Sequence, residues 1–325
     1  MVNGAPGSAW ASLRQGSGTD AAELMILGTP ADDDVEPLSA DHLFDLASLT
    51  KIFTTVVALR LVEDGVLALD GPVAEIARVG VGEGSERITL RHLLTHSSGL
   101  PAEAGAWRSG LAGEELRAAV LRSRVRTAPG EAHRYSDVGF IAVGEIVERA
   151  SGRPLAELVS ETARLLGAAS LTWRPGAEQA VATEVQPHRG LVRGEVHDEL
   201  AHALGRPAGH AGLFGSVHDV AALVRMVRDG GRGEIGPVLS PESVALMTTP
   251  TVRADGWDQA IGLRVRDTAW MGDLDAAGHT GFTGTAFAVV PATGAYGVLL
   301  TNRVHPTRED TDVSGIRRDF FTPLA

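Results

Sequence analysis

The chain has 325 residues, 44% of them hydrophobic, which is enough for a sizeable core in one large domain or two lobes. A formal net charge of -12 argues against nucleic acid or an anionic membrane surface as the main partner, and the lack of cysteine excludes disulfides and thiolate metal sites. There is no N-terminal basic-then-apolar segment and no apolar run near the roughly 18 residues of a membrane span. The sequence as written is therefore expected to be cytoplasmic, or an exported form already processed, acting on a small-molecule or peptide substrate.

In chain order, short strands are predicted at Ala9 to Leu13 and Ala22 to Gly28, followed by a polar loop from Thr29 to Pro37. From Ser48 the period changes: Leu49, Ile52, Phe53, Val56 and Val57 mark one helical face until Gly65 supplies a stop. Further helices are predicted at 90–94, 113–123, 138–150, 155–166 and 217–228. Strand character returns at 260–266, 282–290 and 297–301. Strands at both ends with helices between them predict one sheet closed by the two termini, with a helical lobe inserted. No linker or repeat divides the chain, so the expected organisation is a single domain. Its sheet lobe is 1–65 and 235–325, and its helical lobe 66–234.

Of the 29 basic residues, Lys51 is the only lysine. A coding bias toward arginine explains the other 28 but not the exception. Arginine keeps its proton in proteins, whereas a buried lysine can approach neutrality, so a site that needs a neutral amine cannot use arginine. Lys51 lies one helical turn after Ser48, within reach of its hydroxyl, and Ser48 stands at the positive end of a helix where developing negative charge is stabilised. A Ser-x-x-Lys pair is an alternative to a Ser-His-Asp triad, and its ordinary reading is a helix cap followed by a solvated lysine.

Two further elements bear on the choice. Tyr135-Ser136-Asp137 precedes the 138–150 helix, and a phenol beside a lysine ammonium can serve as a general base, although a lone tyrosine there is usually a packing residue. Gly278-His279-Thr280-Gly281-Phe282 reads as a glycine-flanked edge strand, where a substrate backbone can approach and an N–H can meet an oxyanion. The histidines invite a metal reading, with His92 and His96 four apart and His197, Asp198, His202 and His210 clustered. No His-Glu-x-x-His motif exists, however, and no metal or other cofactor is expected. His197-Asp198-Glu199 is expected mainly to stabilise a turn, with lining of the cleft and a part in substrate choice as the alternative.

Taken together, Ser48-Leu49-Thr50-Lys51, Tyr135-Ser136-Asp137 and His279-Thr280-Gly281 resemble the three signatures of the serine β-lactamase and penicillin-binding protein superfamily. The class C branch, with its DD-peptidases and carboxylesterases, is the most similar. The stretches Leu90 to Pro101, Ala208 to Leu213 and Leu300 to Arg303 agree with it. The resemblance implies a mixed α/β fold, an antiparallel sheet flanked by helices with an inserted helical lobe. It also implies acylation of Ser48, proton transfer by Lys51 and Tyr135, and an oxyanion hole from the N–H groups of Ser48 and Phe282. Asp137, His279, Thr280, Gly281 and Phe282 would contact substrate.

Two departures from the family pattern bear on substrate. Asp137 replaces the more usual asparagine and, when ionised, can only accept hydrogen bonds. His279 replaces the more usual lysine, which makes a fixed charge pH-dependent. Arg303 is a candidate substitute for that charge. The expectation is a serine hydrolase acting through an acyl-enzyme on an amide, peptide or ester, DD-peptidase-like or β-lactamase-related. A carboxylesterase or acyltransferase of the same fold, or a non-catalytic penicillin-binding protein, are the alternatives.

Overall fold

The computed structural model describes residues 6–19, 21–309 and 311–325. At the amino-terminal end, β1 (Ala9–Gln15) pairs antiparallel with β2 (Glu23–Gly28), and β3 (Phe44–Asp45) leads into the first long helix, α1 (Thr50–Glu63). The helical stretch holds α2 (Leu90–Leu94), α3 (Gly113–Leu121), α4 (Asp137–Ser151) and α5 (Leu155–Leu166). It continues through the small hairpin β4 (Val185–Gln186) and β5 (Gly190–Leu191), then α6 (Glu199–Leu204), β6 (Phe214–Gly215), α7 (Val217–Arg228) and α8 (Pro241–Thr248). Five strands follow, with one helical turn among them: β7 (Val252–Arg253), β8 (Asp258–Gln259), β9 (Arg264–Val265), α9 (Thr268–Met271), β10 (Ala277–Thr280), β11 (Ala286–Val289) and β12 (Tyr296–Thr301). The last element of this series is α10 (Ser314–Phe321).

The large sheet has eight strands in the order β2-β1-β12-β11-β10-β9-β8-β7, all antiparallel. β1 lies against β12 from Trp10 opposite Thr301 to Gln15 opposite Tyr296, so strands from both ends of the chain share the sheet. The two-residue period of its strands divides the core. Phe287, Val289, Val298 and Leu300 face the main core, where α7 packs, while Ala286, Ala288 and Leu299 face a smaller cluster with Trp270, Met271 and Phe321 of α9 and α10.

Helix α1 is buried on nearly all sides, its polar residues along with the apolar face that carries Ile52, Phe53, Val56 and Val57. Its polar residues make this possible by bonding backbone: Thr54 donates to Gly209 O at 2.9 Å and Thr55 to Lys51 O at 2.8 Å. The predicted strand 260–266 shrinks to β9, because the chain turns at Gly262 and closes Ala260 N onto Leu263 O. The predicted strand 282–290 begins only at Ala286, since residues 281–285 form a tight turn after a separate strand, β10. Among the described residues no helix is long and apolar enough to cross a membrane.

Candidate active site

The approach to Ser48 is strained. Asp45 is fixed by β3–β6 pairing, and its carboxylate accepts from Ala47 N at 2.8 Å and from His197 N at 2.7 Å. Between them the backbone of Ala47 is forced to φ 45°, a left-handed conformation that costs a non-glycine residue about 1–3 kcal/mol. This kink places Ser48 in a 3-10 turn (Ala47–Leu49) ahead of α1, with its side chain still partly open to solvent.

One turn on, the Lys51 side chain is wholly enclosed. Its Nζ lies 2.8 Å from Ser48 Oγ, 2.7 Å from Asp137 Oδ1 and 3.1 Å from His210 O. The Tyr135 ring centroid is 4.9 Å from the same nitrogen. Burial alone would lower the Lys51 pKa, but the Asp137 carboxylate first and the Tyr135 oxygen second outweigh it and raise it above its ordinary value. Lys51 thus rests as an ammonium. The sequence-based expectation of a lysine near neutrality is corrected on this point, and the cause is the carboxylate at position 137.

The His210 carbonyl reaches Lys51 because a loop presses against α4. A Cβ on Gly209 would stand 2.2 Å from Phe140 O, so the approach admits only glycine there.

Tyr135 is held by His96, which the sequence offers only as a candidate metal partner of His92. Arg134 N donates to His96 O at 2.7 Å and Ser136 N to His96 Nδ1 at 3.0 Å, and the two rings lie 4.4 Å apart. Burial, then the Lys51 charge, holds the His96 imidazole well below its usual pKa, so it stays neutral and its Nδ1 accepts. Ser136 Oγ accepts from Gly139 N at 2.9 Å and caps α4, which carries Asp137 at its first position. His92 does separate work, capping α2 with Thr89. Among the described residues no group of three or more potential metal ligands forms.

The third element stands on β10. It is not the edge strand expected from the sequence, since β10 is interior, between β9 and β11. Even so, β9 pairs only with Ala277 and Gly278, which leaves His279 to Gly281 unpaired on that side. Thr283 Oγ1 donates to Asp45 O at 2.7 Å and Thr285 Oγ1 to Leu46 O at 3.2 Å, tying the turn after β10 to the segment before Ser48. At Gly281 a Cβ would meet Thr285 Oγ1 at 2.1 Å and Leu46 O at 2.8 Å. The His279 ring is buried, 5.9 Å from that of Tyr135, and burial followed by the charges of Arg264 and Lys51 keeps its pKa well below the usual value. Thr280 O accepts from His279 Nδ1 at 2.8 Å. Arg303 does not stand in for a fixed charge in the site. Its guanidinium turns to backbone carbonyls, Phe282 O at 2.7 Å and Thr311 O at 2.9 Å.

Ser48 and Asp137 open on a cleft of about 190 Å³ walled by Trp107, Arg108, Leu200 and Phe282. His197, Asp198 and Glu199, expected mainly to brace a turn, line it as well. Phe282 is half exposed, stacked on His197 with centroids 5.7 Å apart and flanked by Arg303 and Arg308. Behind this wall Glu184 bonds His197 Nε2 at 2.9 Å and Arg308 Nε at 2.8 Å, while Arg308 also bonds Glu199 at 2.6 Å. Burial opposes ionisation of Glu184, but the Arg308 bonds and then the His197 bond overcome it and bring its pKa to about 2.

That shift predicts acid lability. The folded state holds Glu184 ionised where the unfolded chain, with a pKa near 4.5, has taken up a proton. This stabilisation is complete above pH 4.5 and is lost as pH falls toward 2, as much as ~3 kcal/mol. Urea unfolding of Glu184→Gln and wild type across this range should show the wild-type advantage shrinking with acid. An advantage that does not change with pH would remove Glu184 from the acid response.

The structure thus brings Lys51, Tyr135, Asp137 and the 279–282 segment together near Ser48, although they are far apart in sequence, and of these Ser48, Asp137 and Phe282 line the cleft. A curated protein of Escherichia coli O157:H7 named "Putative D-alanyl-D-alanine carboxypeptidase" is 33% identical over 306 residues, covering 81% of this chain and 69% of its own length. Among solved structures, EstCE1, "a hydrolase with promiscuous acyltransferase activity", superposes with a TM-score of 0.78 at 21% identity, over 98% of this chain and 93% of that one. A class C beta lactamase from Rhodobacter sphaeroides gives 0.77 at 20% identity, over 97% and 93%. The Beta-lactamase family model matches residues 5–319, and the chain belongs to that family, as a serine hydrolase of the β-lactamase and penicillin-binding protein superfamily.

Proposed function

We propose that this protein transfers the acyl group of an amide, peptide or ester to Ser48 and then to water. The observation that carries the reading is the Lys51 amine, sealed from solvent and 2.8 Å from the hydroxyl of a partly open Ser48. Ser48 Oγ attacks the scissile carbonyl carbon, and the N–H groups of Ser48 and Phe282 meet the charge that grows on its oxygen. An ammonium cannot accept the serine proton, so Lys51 first releases one of its own. Asp137 Oδ1 at 2.7 Å is the acceptor within reach, with the Tyr135 oxygen as the alternative base. The leaving nitrogen or oxygen takes the proton as its bond to carbon breaks. Water then attacks the ester on Ser48, gives its proton back through the same groups and frees the acid.

DD-peptidase-like chemistry is the first substrate reading, supported by the name of the Escherichia coli relative. A carboxylesterase or acyltransferase is the second. The neutral state of His279 and the turning away of Arg303 favour it, since a free substrate carboxylate would meet no fixed cation at either residue.

Incubation with a p-nitrophenyl ester or a penicillin should add the acyl mass to Ser48, and none to Ser48→Ala. No adduct together with no ester turnover would return the chain to the non-catalytic penicillin-binding reading. Rates on p-nitrophenyl esters, a D-Ala-D-Ala peptide and a chromogenic cephalosporin then rank the substrates, with the cephalosporin expected to be slowest.

A further inference from the structure

The C-terminal helix α10 contributes a side chain to the back of the site that no signature contains. Arg317 is buried, and its Nη2 donates to Gly281 O and to Thr285 O, each at 3.1 Å. Gly281 O also accepts from Gly284 N at 3.1 Å, and Thr285 O from Gly281 N at 2.7 Å. Both carbonyls therefore already serve the turn before the arginine is added. Arg317 Nε has no hydrogen-bond partner, and among the described residues no carboxylate pairs with the guanidinium. Burying a cation in this way is expensive, and a neutral side chain of similar size would cost the fold less. Stability is a poor reason for its presence.

The position of the acceptor supplies a better one. Gly281 C=O and Phe282 N–H are the two ends of one peptide unit. A charge-assisted donor on the oxygen draws electron density toward it and makes the N–H at the other end a stronger donor. We propose that Arg317 is a positioning residue for acyl transfer, which fixes and polarises the Gly281–Phe282 peptide so that its N–H meets the oxyanion. The inference rests on the proposed acylation of Ser48 with Phe282 N–H as one half of the oxyanion hole. Arg303 makes the parallel contact one peptide further on, at Phe282 O, so two arginines grip successive carbonyls of the same loop.

The test compares wild type, Arg317→Met and Arg317→Lys on a p-nitrophenyl ester and with phenylboronic acid, whose tetrahedral adduct on Ser48 puts an oxygen in the hole. Arg317→Met should lower kcat by about 10- to 30-fold with KM within twofold, and weaken boronate binding by a similar factor. Arg317→Lys, whose ammonium can still reach a carbonyl, should recover part of both losses. If Arg317→Met does not fold, Arg317→Gln is judged by the same criteria.

An unchanged kcat and boronate affinity in a wild type that acylates would overturn the inference alone. So would a loss confined to KM or to thermal stability. A wild type that forms no Ser48 adduct overturns the acyl-transfer reading and this inference with it.

Discussion

Lys51→Arg is expected to lose nearly as much activity as Lys51→Ala, about 10³-fold or more in kcat/KM on a p-nitrophenyl ester. Charge alone would predict otherwise, since arginine keeps it. The geometry does not allow the exchange. Nζ is enclosed and has three oxygens around it, Ser48 Oγ, Asp137 Oδ1 and His210 O, at 2.7 to 3.1 Å. A tetrahedral ammonium points its three donors at such a set, whereas a planar guanidinium is larger, spreads its donors in a plane and cannot give up a proton near neutrality. Steady-state rates for both variants, with circular dichroism to confirm the fold, decide the matter. An arginine variant that keeps more than a tenth of the wild-type rate would reduce Lys51 to a source of positive charge.

Asp137→Asn should move one limb of the kcat/KM profile to lower pH by more than one unit, a change of up to ~100-fold in rate at a fixed pH on that limb. The carboxylate is the leading cause that lifts Lys51 above its ordinary pKa, and without it burial pulls the amine down. The direction is the same whichever protonation state the chemistry uses. If the neutral amine takes the serine proton, the acid limb shifts and activity near neutrality rises, because an amine that burial already holds neutral no longer has to pass a proton to the carboxylate. If the ammonium is required to hold a Tyr135 phenolate, the alkaline limb shifts and activity falls early. The identity of the moving limb therefore assigns the base, and a profile that stays in place would dissolve the proposed coupling of Asp137 to Lys51. The same substitution supplies an amide N–H facing the cleft, so cephalosporin turnover should rise relative to ester turnover.

Much of this arrangement was legible in the residues themselves. An apolar helix opened by Ser48 with the sole lysine one turn later, a tyrosine at the head of another helix and a glycine-flanked triplet near a strand are local patterns, and local patterns survive in sequence. The pairing of β1 with β12 followed from strands at both ends. What could not be read were the long-range contacts. Nothing local to Asp137 says that its carboxylate meets Lys51 rather than substrate, and that contact reverses the expected protonation of the amine. His96 suggested at most a metal pair with His92, because the two bonds that define its place go to residues about forty positions away. Arg303 was a candidate for substrate charge by residue type alone, yet carbonyls of the neighbouring loop claim it. Arg317 was one arginine among 28, and only the return of α10 behind β10 gives it an acceptor.

The threonine tethers between the 281–285 turn and the segment before Ser48 have a consequence for how the chain comes to life. Thr283 and Thr285 reach back some 240 positions to Asp45 and Leu46, and Arg317 closes the same turn from still later in the chain. During synthesis the serine and its lysine emerge early and can fold into their helix, but the Phe282 N–H proposed as the second oxyanion donor is not held beside Ser48 until the final strands have joined the sheet with β1. Hydrolysis is thus a report of completed folding. Two halves cut within an exposed loop of the helical stretch should each be inert, and any activity on mixing would count reassembled molecules alone.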